Sequence, residues 1–140
     1  MALAGRLARP GKRSSLPGDL DLAADENTVL IERTLRSGQT VHYRGHVVVL
    51  GDVNPGAEIA ASGNVVVVGA LRGVVHAGME GDTQAFVLAL SLQPTQLRIA
   101  DHITRPPDGE PVQADGPEIA RIKDGVVTIE AFGPGDRTGR

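Results

Sequence analysis

The chain has 140 residues and a formal charge of -3, with 41% hydrophobic and 22% charged residues, enough for one modest domain with tails. No apolar run approaches the roughly 20 residues of a membrane-spanning helix. Zero cysteines exclude disulfides, a thiol nucleophile and thiolate metal sites, and the slight negative charge gives no general pull toward nucleic acid. The only aromatics are Tyr43, Phe86 and Phe132, so the core must be built from Val, Leu, Ile and Ala.

Residues 1–27 are a poor folding unit. Arg6, Arg9, Lys12 and Arg13 make the start basic, and Asp19, Asp21, Asp25 and Glu26 make the next stretch acidic. Pro10, Gly11, Pro17 and Gly18 break any helix between them. This is the composition of a disordered lead or linker, although charge blocks also serve as interaction tails.

From Thr28 to about Pro106 the chain repeats itself every 18 residues: Gly38 recurs as Gly56, Gly45 as Gly63, and Gly51 as Gly69. The apolar positions follow, Val41 becoming Ile59, Val47 becoming Val65 and Val53 becoming Leu71. A third copy is expected from Arg72, drifting by a residue so that Leu90 answers Leu71, and a degenerate fourth through Leu97, Ile99 and Ile103. Glycines and β-branched runs oppose helix at every corner. The unit therefore reads as one coil of a β-solenoid, with three short strands around a triangular cross-section, each stacked on the same strand of the next coil. Single coils cannot bury their own apolar face, so such a stack is stable only as an array.

Period two along a strand sets Val47 and Val49 on one side and Val48 and Leu50 on the other, and Val65 to Val68 repeat this one coil later. Whichever set fills the core, the other forms an apolar ladder outside, which a soluble monomer seldom leaves open. A homodimer face at Val48, Leu50, Val66 and Val68 is the reading; the alternative cover is the C-terminal hairpin or the N-terminal segment. A second ladder is polar: Arg36, Asn54 and Arg72 share one corner, beside Ser37-Gly38-Gln39 and Pro55-Gly56-Ala57-Glu58. Turn chemistry accounts for the glycines and Asn54, but not for two arginines in one column.

Arg105 to Pro111 is a proline-rich connection. Beyond it, Ile119–Ile122 and Val126–Ile129 flank Lys123-Asp124-Gly125, a hairpin signal expected to close or flank the solenoid.

Thr34-Leu35-Arg36-Ser37-Gly38-Gln39, with Gly56-Ala57-Glu58, Gly63-Asn64 and Arg72-Gly73 behind it, resembles the C-terminal domain of the septum-site-determining MinC family over residues 28–132. The resemblance implies an all-β, right-handed triangular β-helix that dimerises through one face, with residues 133–140 as a flexible tail. It also implies a cytoplasmic, non-enzymatic cell-division regulator. That regulator binds the membrane ATPase MinD, which recruits it to the inner membrane. Carried over position by position, the MinD-binding residues are Arg36, Ser37, Gly38, Gln39, Gly56, Glu58, Arg72 and Gly73. Family members also carry an N-terminal domain that antagonises FtsZ ring assembly. Only 27 residues precede the solenoid here, so the chain reads as a fragment, a misassigned start or a shortened member, with FtsZ reached indirectly or through a missing domain.

Other chemistries find little support. His42, His46, His76 and His102 have no partner placed by the repeat, so no metal is expected. Asp52 and Glu58 fall on different segments, Ser62 lacks a nucleophile elbow, and Gly51 to Gly56 lacks a phosphate-loop ending. Three aromatics do not make a base-stacking surface, and no cofactor is implied. Two other solenoid classes compete. A bactofilin-like structural solenoid would polymerise end to end. A hexapeptide acyltransferase would show aliphatics every six residues, as here, but followed by small or acidic residues rather than His42, Val48 and Val66.

Overall fold

The computed structural model describes residues 27–104 and 116–133; the expectations for residues 1–26, for the proline-rich connection and for the tail lie outside that range. Among the described residues every regular element is a strand: β1 Thr28–Ile31, β2 Thr40–Tyr43, β3 His46–Val49, β4 Glu58–Ala61, β5 Val65–Leu71, β6 Val74–Ala77, β7 Val87–Leu92, β8 Gln96–Ile99, β9 His102–Thr104, β10 Glu118–Lys123 and β11 Val126–Ala131.

The strands stack in coils with three sides. One sheet runs β1-β3-β5-β7 in parallel and is extended by the antiparallel pair β10-β11. A second runs β2-β4-β6-β8 in parallel and ends on antiparallel β9. The narrow third side consists of the parallel bridges Leu35–Val53–Leu71, continued by Leu71–Leu92. Successive coils lie in register: Val47 pairs with Val65, Val41 with Ile59 and Val53 with Leu71. The alternation is resolved in favour of Val47 and Val49, which are fully buried together with Val53, Val65, Leu71, Val75, Leu97 and Ile99. Burying one such aliphatic contributes about 1.5–3 kcal/mol, so the column of stacked Val, Leu and Ile is the main stabilising term of the fold.

The glycines make the corners close. A Cβ at Gly69 would overlap the Gly51 carbonyl oxygen one coil above. Two polar ladders lock the other corner atoms. Asp52 N–H donates to Thr34 Oγ1 at 3.1 Å, and Ala70 N–H donates to Asp52 Oδ1 at 2.8 Å. Asn64 N–H donates to His46 Nδ1 at 2.9 Å, and Phe86 N–H donates to Asn64 Oδ1 at 2.9 Å.

Two expectations are corrected. The third coil does not drift by one residue: the corner before β6 is shortened, so that Glu58 pairs with Val74, and residues 78–86 then bulge out before β7. Leu71 therefore meets Leu92, not Leu90, which points outward at 49% exposure. Nor does the fourth copy pass through Ile103. After Leu97 and Ile99 the chain reverses at Ala100-Asp101, with Ala100 at φ 55, and Ile103 sits exposed on antiparallel β9.

The expected Asp-Gly hairpin is present. Lys123 pairs with Val126 around Asp124 and Gly125, whose φ values of 53 and 78 fit a two-residue turn with left-handed residues. It adds to the edge of β7 through Ile119–Leu88 and Ala120–Val87. The hairpin closes the sheet edge and does not lie across the outer ladder.

Candidate functional site

The corner between the third side and the second sheet gathers most of the anticipated recognition residues. In the first coil it is the turn Arg36–Gln39, held by Gln39 N–H to Arg36 O at 2.9 Å and by Arg36 N–H to Gln39 Oε1 at 2.7 Å. Gly38 takes φ +90 with open space where a Cβ would stand, so backbone conformation requires the glycine there and packing does not. One coil on, Ala57 N–H closes a similar turn on Asn54 O at 2.9 Å, and Gly38 N–H reaches Gly56 O at 2.9 Å. In the third coil only Arg72 and Gly73 separate Leu71 from β6.

Backbone bonds stack these turns. Asn54 N–H donates to Leu35 O at 2.9 Å, Arg72 N–H to Val53 O at 2.8 Å, and Thr95 Oγ1–H to Arg72 O at 2.8 Å. Arg36, Asn54 and Arg72 thus form one column, as the 18-residue spacing requires. Arg36, Ser37, Gly38, Gln39, Gly56, Glu58 and Arg72 are all exposed on this corner. Gly73 differs: it is buried, and a Cβ there would strike the Ala57 carbonyl, so it lets the shortened corner close and offers no surface.

The two arginines carry the electrostatics. Ion pairs among the described residues are Arg44–Glu80, with Nε to Oε2 at 2.9 Å, and Lys123–Glu130. Arg36 and Arg72 take part in neither: both are exposed, with no carboxylate partner among the described residues. Such planar forks of donors suit carboxylates on another molecule.

A second surface lies on the first sheet. Leu30, Val48, Val66 and Leu88 are register partners in one outward row. Leu50, Val68 and Leu90 are exposed beside them. At the hairpin the partner of Leu88 is the buried Ile119, and Arg121, Lys123 and Glu130 lie on the same sheet beside it.

The histidines are dispersed. His42 is exposed, His46 belongs to a corner ladder, and His76 Nε2 lies 2.8 Å from Ala100 O. His102 Nδ1 is buried without a hydrogen-bond partner. Among the described residues no three His, Cys, Asp or Glu side chains gather as a metal group would. No helix among them is long and apolar enough to cross a membrane.

The sequence reading overlooked the Thr34–Asp52 and His46–Asn64 ladders. The signal was available, because each pair sits 18 residues apart and offers a side-chain acceptor in both coils.

A coiled parallel sheet with a polar corner and an apolar outer face defines the fold class as a β-solenoid. The family model described as "Septum formation inhibitor MinC, C-terminal domain" matches residues 29–132. The chain belongs to that family. It is 59% identical over 127 residues to the probable septum site-determining protein MinC of Heliobacterium modesticaldum, covering 87% of this chain and 44% of the relative. The corresponding protein of Acetivibrio thermocellus is 60% identical over 102 residues, covering 72% and 45%. The chain therefore spans about half the length of these relatives. Among solved structures, the MinC:MinD cell division protein complex of Aquifex aeolicus matches with a TM-score of 0.72 and 38% identity, covering 79% of this chain and 90% of that one.

Proposed function

We propose that this chain is the partner-binding and dimerising module of a septum-placement regulator. Its corner residues Arg36, Ser37, Gly38, Gln39, Gly56, Glu58 and Arg72 engage a membrane-associated ATPase of the MinD type. The observation that carries this reading is the column of two exposed arginines, without carboxylate partners among the described residues, on the corner of a solenoid similar to one from a MinC:MinD complex. The outward row at Val48, Leu50, Val66 and Val68 joins two copies, so that each dimer offers two corners and gains avidity on a membrane-bound partner. The regulator is cytoplasmic, and MinD brings it to the inner membrane. Antagonism of FtsZ ring assembly is exerted through the assembled complex or a further domain of the regulator, without an enzymatic step.

End-to-end polymerisation, the structural alternative, would have to join the parallel edge strands β1 and β2 of one copy to the antiparallel strands β9 and β11 of the next, so the parallel coil stack would not continue unbroken between copies.

The test is co-sedimentation with MinD and ATP on lipid vesicles. Arg36→Ala is expected to reduce recruitment at least tenfold, the scale of one lost charge-assisted contact, while light scattering and the β-sheet spectrum stay unchanged. Undiminished recruitment of that variant would remove the corner as the binding site.

A further inference from the structure

After Arg36, Asn54 and Arg72, the repeat spacing alone would place Leu90 fourth in the polar column. The backbone places Gln93 there instead. Leu71 pairs with Leu92, and Gln93 N–H donates to Leu71 O at 2.9 Å. This continues the ladder in which Asn54 N–H donates to Leu35 O at 2.9 Å and Arg72 N–H to Val53 O at 2.8 Å. Gln93 is exposed, whereas Pro94 beside it is buried. Thr95 ties the fourth corner to the third, with its N–H on Gly73 O at 2.9 Å and its hydroxyl on Arg72 O at 2.8 Å.

The carbonyls of this corner are satisfied within the solenoid. Those of Leu35, Val53 and Leu71 accept the ladder bonds, those of Arg36 and Asn54 accept from Gln39 and Ala57, and that of Arg72 accepts from Thr95. Among the described residues no hydrogen bond or ion pair engages the side chains of Arg36, Asn54, Arg72 or Gln93. What the column offers another molecule is therefore two guanidiniums and two amides, on a line about 14 Å long at the spacing of stacked strands. The corner also changes height along that line. Ser37-Gly38 and Pro55-Gly56 extend the first two turns, but only Gly73 stands between Arg72 and β6. The ridge flanking Arg36 and Asn54 ends there, which opens Arg72 and Gln93 toward the second sheet. A positively charged line of donors favours a row of carboxylates and other acceptors over an apolar or basic surface.

We propose that Gln93 is a specificity-determining contact, and that the partner site is a donor column four coils tall that takes an acidic ridge of the partner. This rests on the corner being the partner site, and deepens that reading by a further coil and by the partner's charge.

Recruitment by MinD and ATP to lipid vesicles would be measured in the full chain for Arg36→Ala, Gln93→Glu and Gln93→Arg, with Gln84→Glu as control. Gln84 is exposed on the bulge between the second sheet and the first, so its replacement changes the charge equally but away from the column. Gln93→Glu is expected to lower recruitment about tenfold and Gln93→Arg to raise it several-fold, both effects shrinking as salt rises. Gln84→Glu should match the parent chain, and the β-sheet spectrum should be the same in all four variants. Loss in Arg36→Ala with parental recruitment in both Gln93 variants would end the site at the third coil, overturning the fourth contact while leaving the corner in place. A loss in Gln84→Glu as large as that in Gln93→Glu would overturn it as well, by assigning the effect to net charge. Parental recruitment in all four would remove corner and column together.

Discussion

At the scale of single residues, glycines with the same letter have different jobs. Gly69 has no room for a side chain, because its Cβ would meet the Gly51 carbonyl oxygen. Gly38 has room but sits at φ +90. Gly69→Ala is expected to destabilise by on the order of 3 kcal/mol, through forced separation of two coils. Gly38→Ala is expected to cost about 1–2 kcal/mol, the penalty of a left-handed conformation. Urea denaturation midpoints of the two variants would check the order. Gly38→Ala also adds a methyl to open space on the corner proposed to bind the partner, so its effect on partner recruitment should exceed its effect on stability. The glycine spacing was legible in sequence because each corner repeats the same letter. The polar ladders were less so, since Thr34 and Asp52, or His46 and Asn64, repeat a hydrogen-bonding capacity rather than a letter.

Among the elements, legibility followed turn chemistry. The β10-β11 hairpin was readable because Asp124-Gly125 supplies the two left-handed residues its turn needs. The β8-β9 reversal was not, because Ala100 adopts φ 55 without a side chain that advertises it. The first two coils read correctly, as their corners have equal lengths. The third did not, because a shortened corner at Arg72-Gly73 and the bulge at residues 78–86 shift the spacing in opposite directions. The hairpin also holds two carboxylates with opposed titration. Burial raises the Glu118 pKa above its ordinary 4.5, whereas the hydrogen bond from Lys123 lowers that of Glu130. Glu118 therefore contributes stability that is complete below its unfolded value and lost as pH rises through the raised folded value. Glu130 does the reverse, contributing above its unfolded value and losing that contribution as pH falls through the lowered one. Melting curves between about pH 4 and pH 7 should show Glu118→Gln removing a decline toward neutral pH. Glu130→Gln should remove a rise that lies at and below about pH 4.5, in melting curves extended to lower pH.

For the whole molecule, the outer row of the first sheet is the face proposed to join two copies. Val48 and Val66 are register partners on the outward side, while Val47 and Val65 of the same strands fill the core. Val48→Lys/Val66→Lys is expected to yield a folded monomer by light scattering, because the charges remain solvated in the separated subunits and would be desolvated in the dimer. Val47→Lys should instead abolish the β-sheet spectrum. A dimeric double variant would exclude this row as the interface. The register between coils has a further consequence for how such a chain tolerates change. Deleting one residue from β3 would turn every following side chain of that strand toward the wrong side. Duplicating a complete winding would add a floor to the building and leave the plan of every other floor intact. Viable length variants of this solenoid should therefore come in whole windings, with shorter insertions confined to corners that can balloon outward, as residues 78–86 already do.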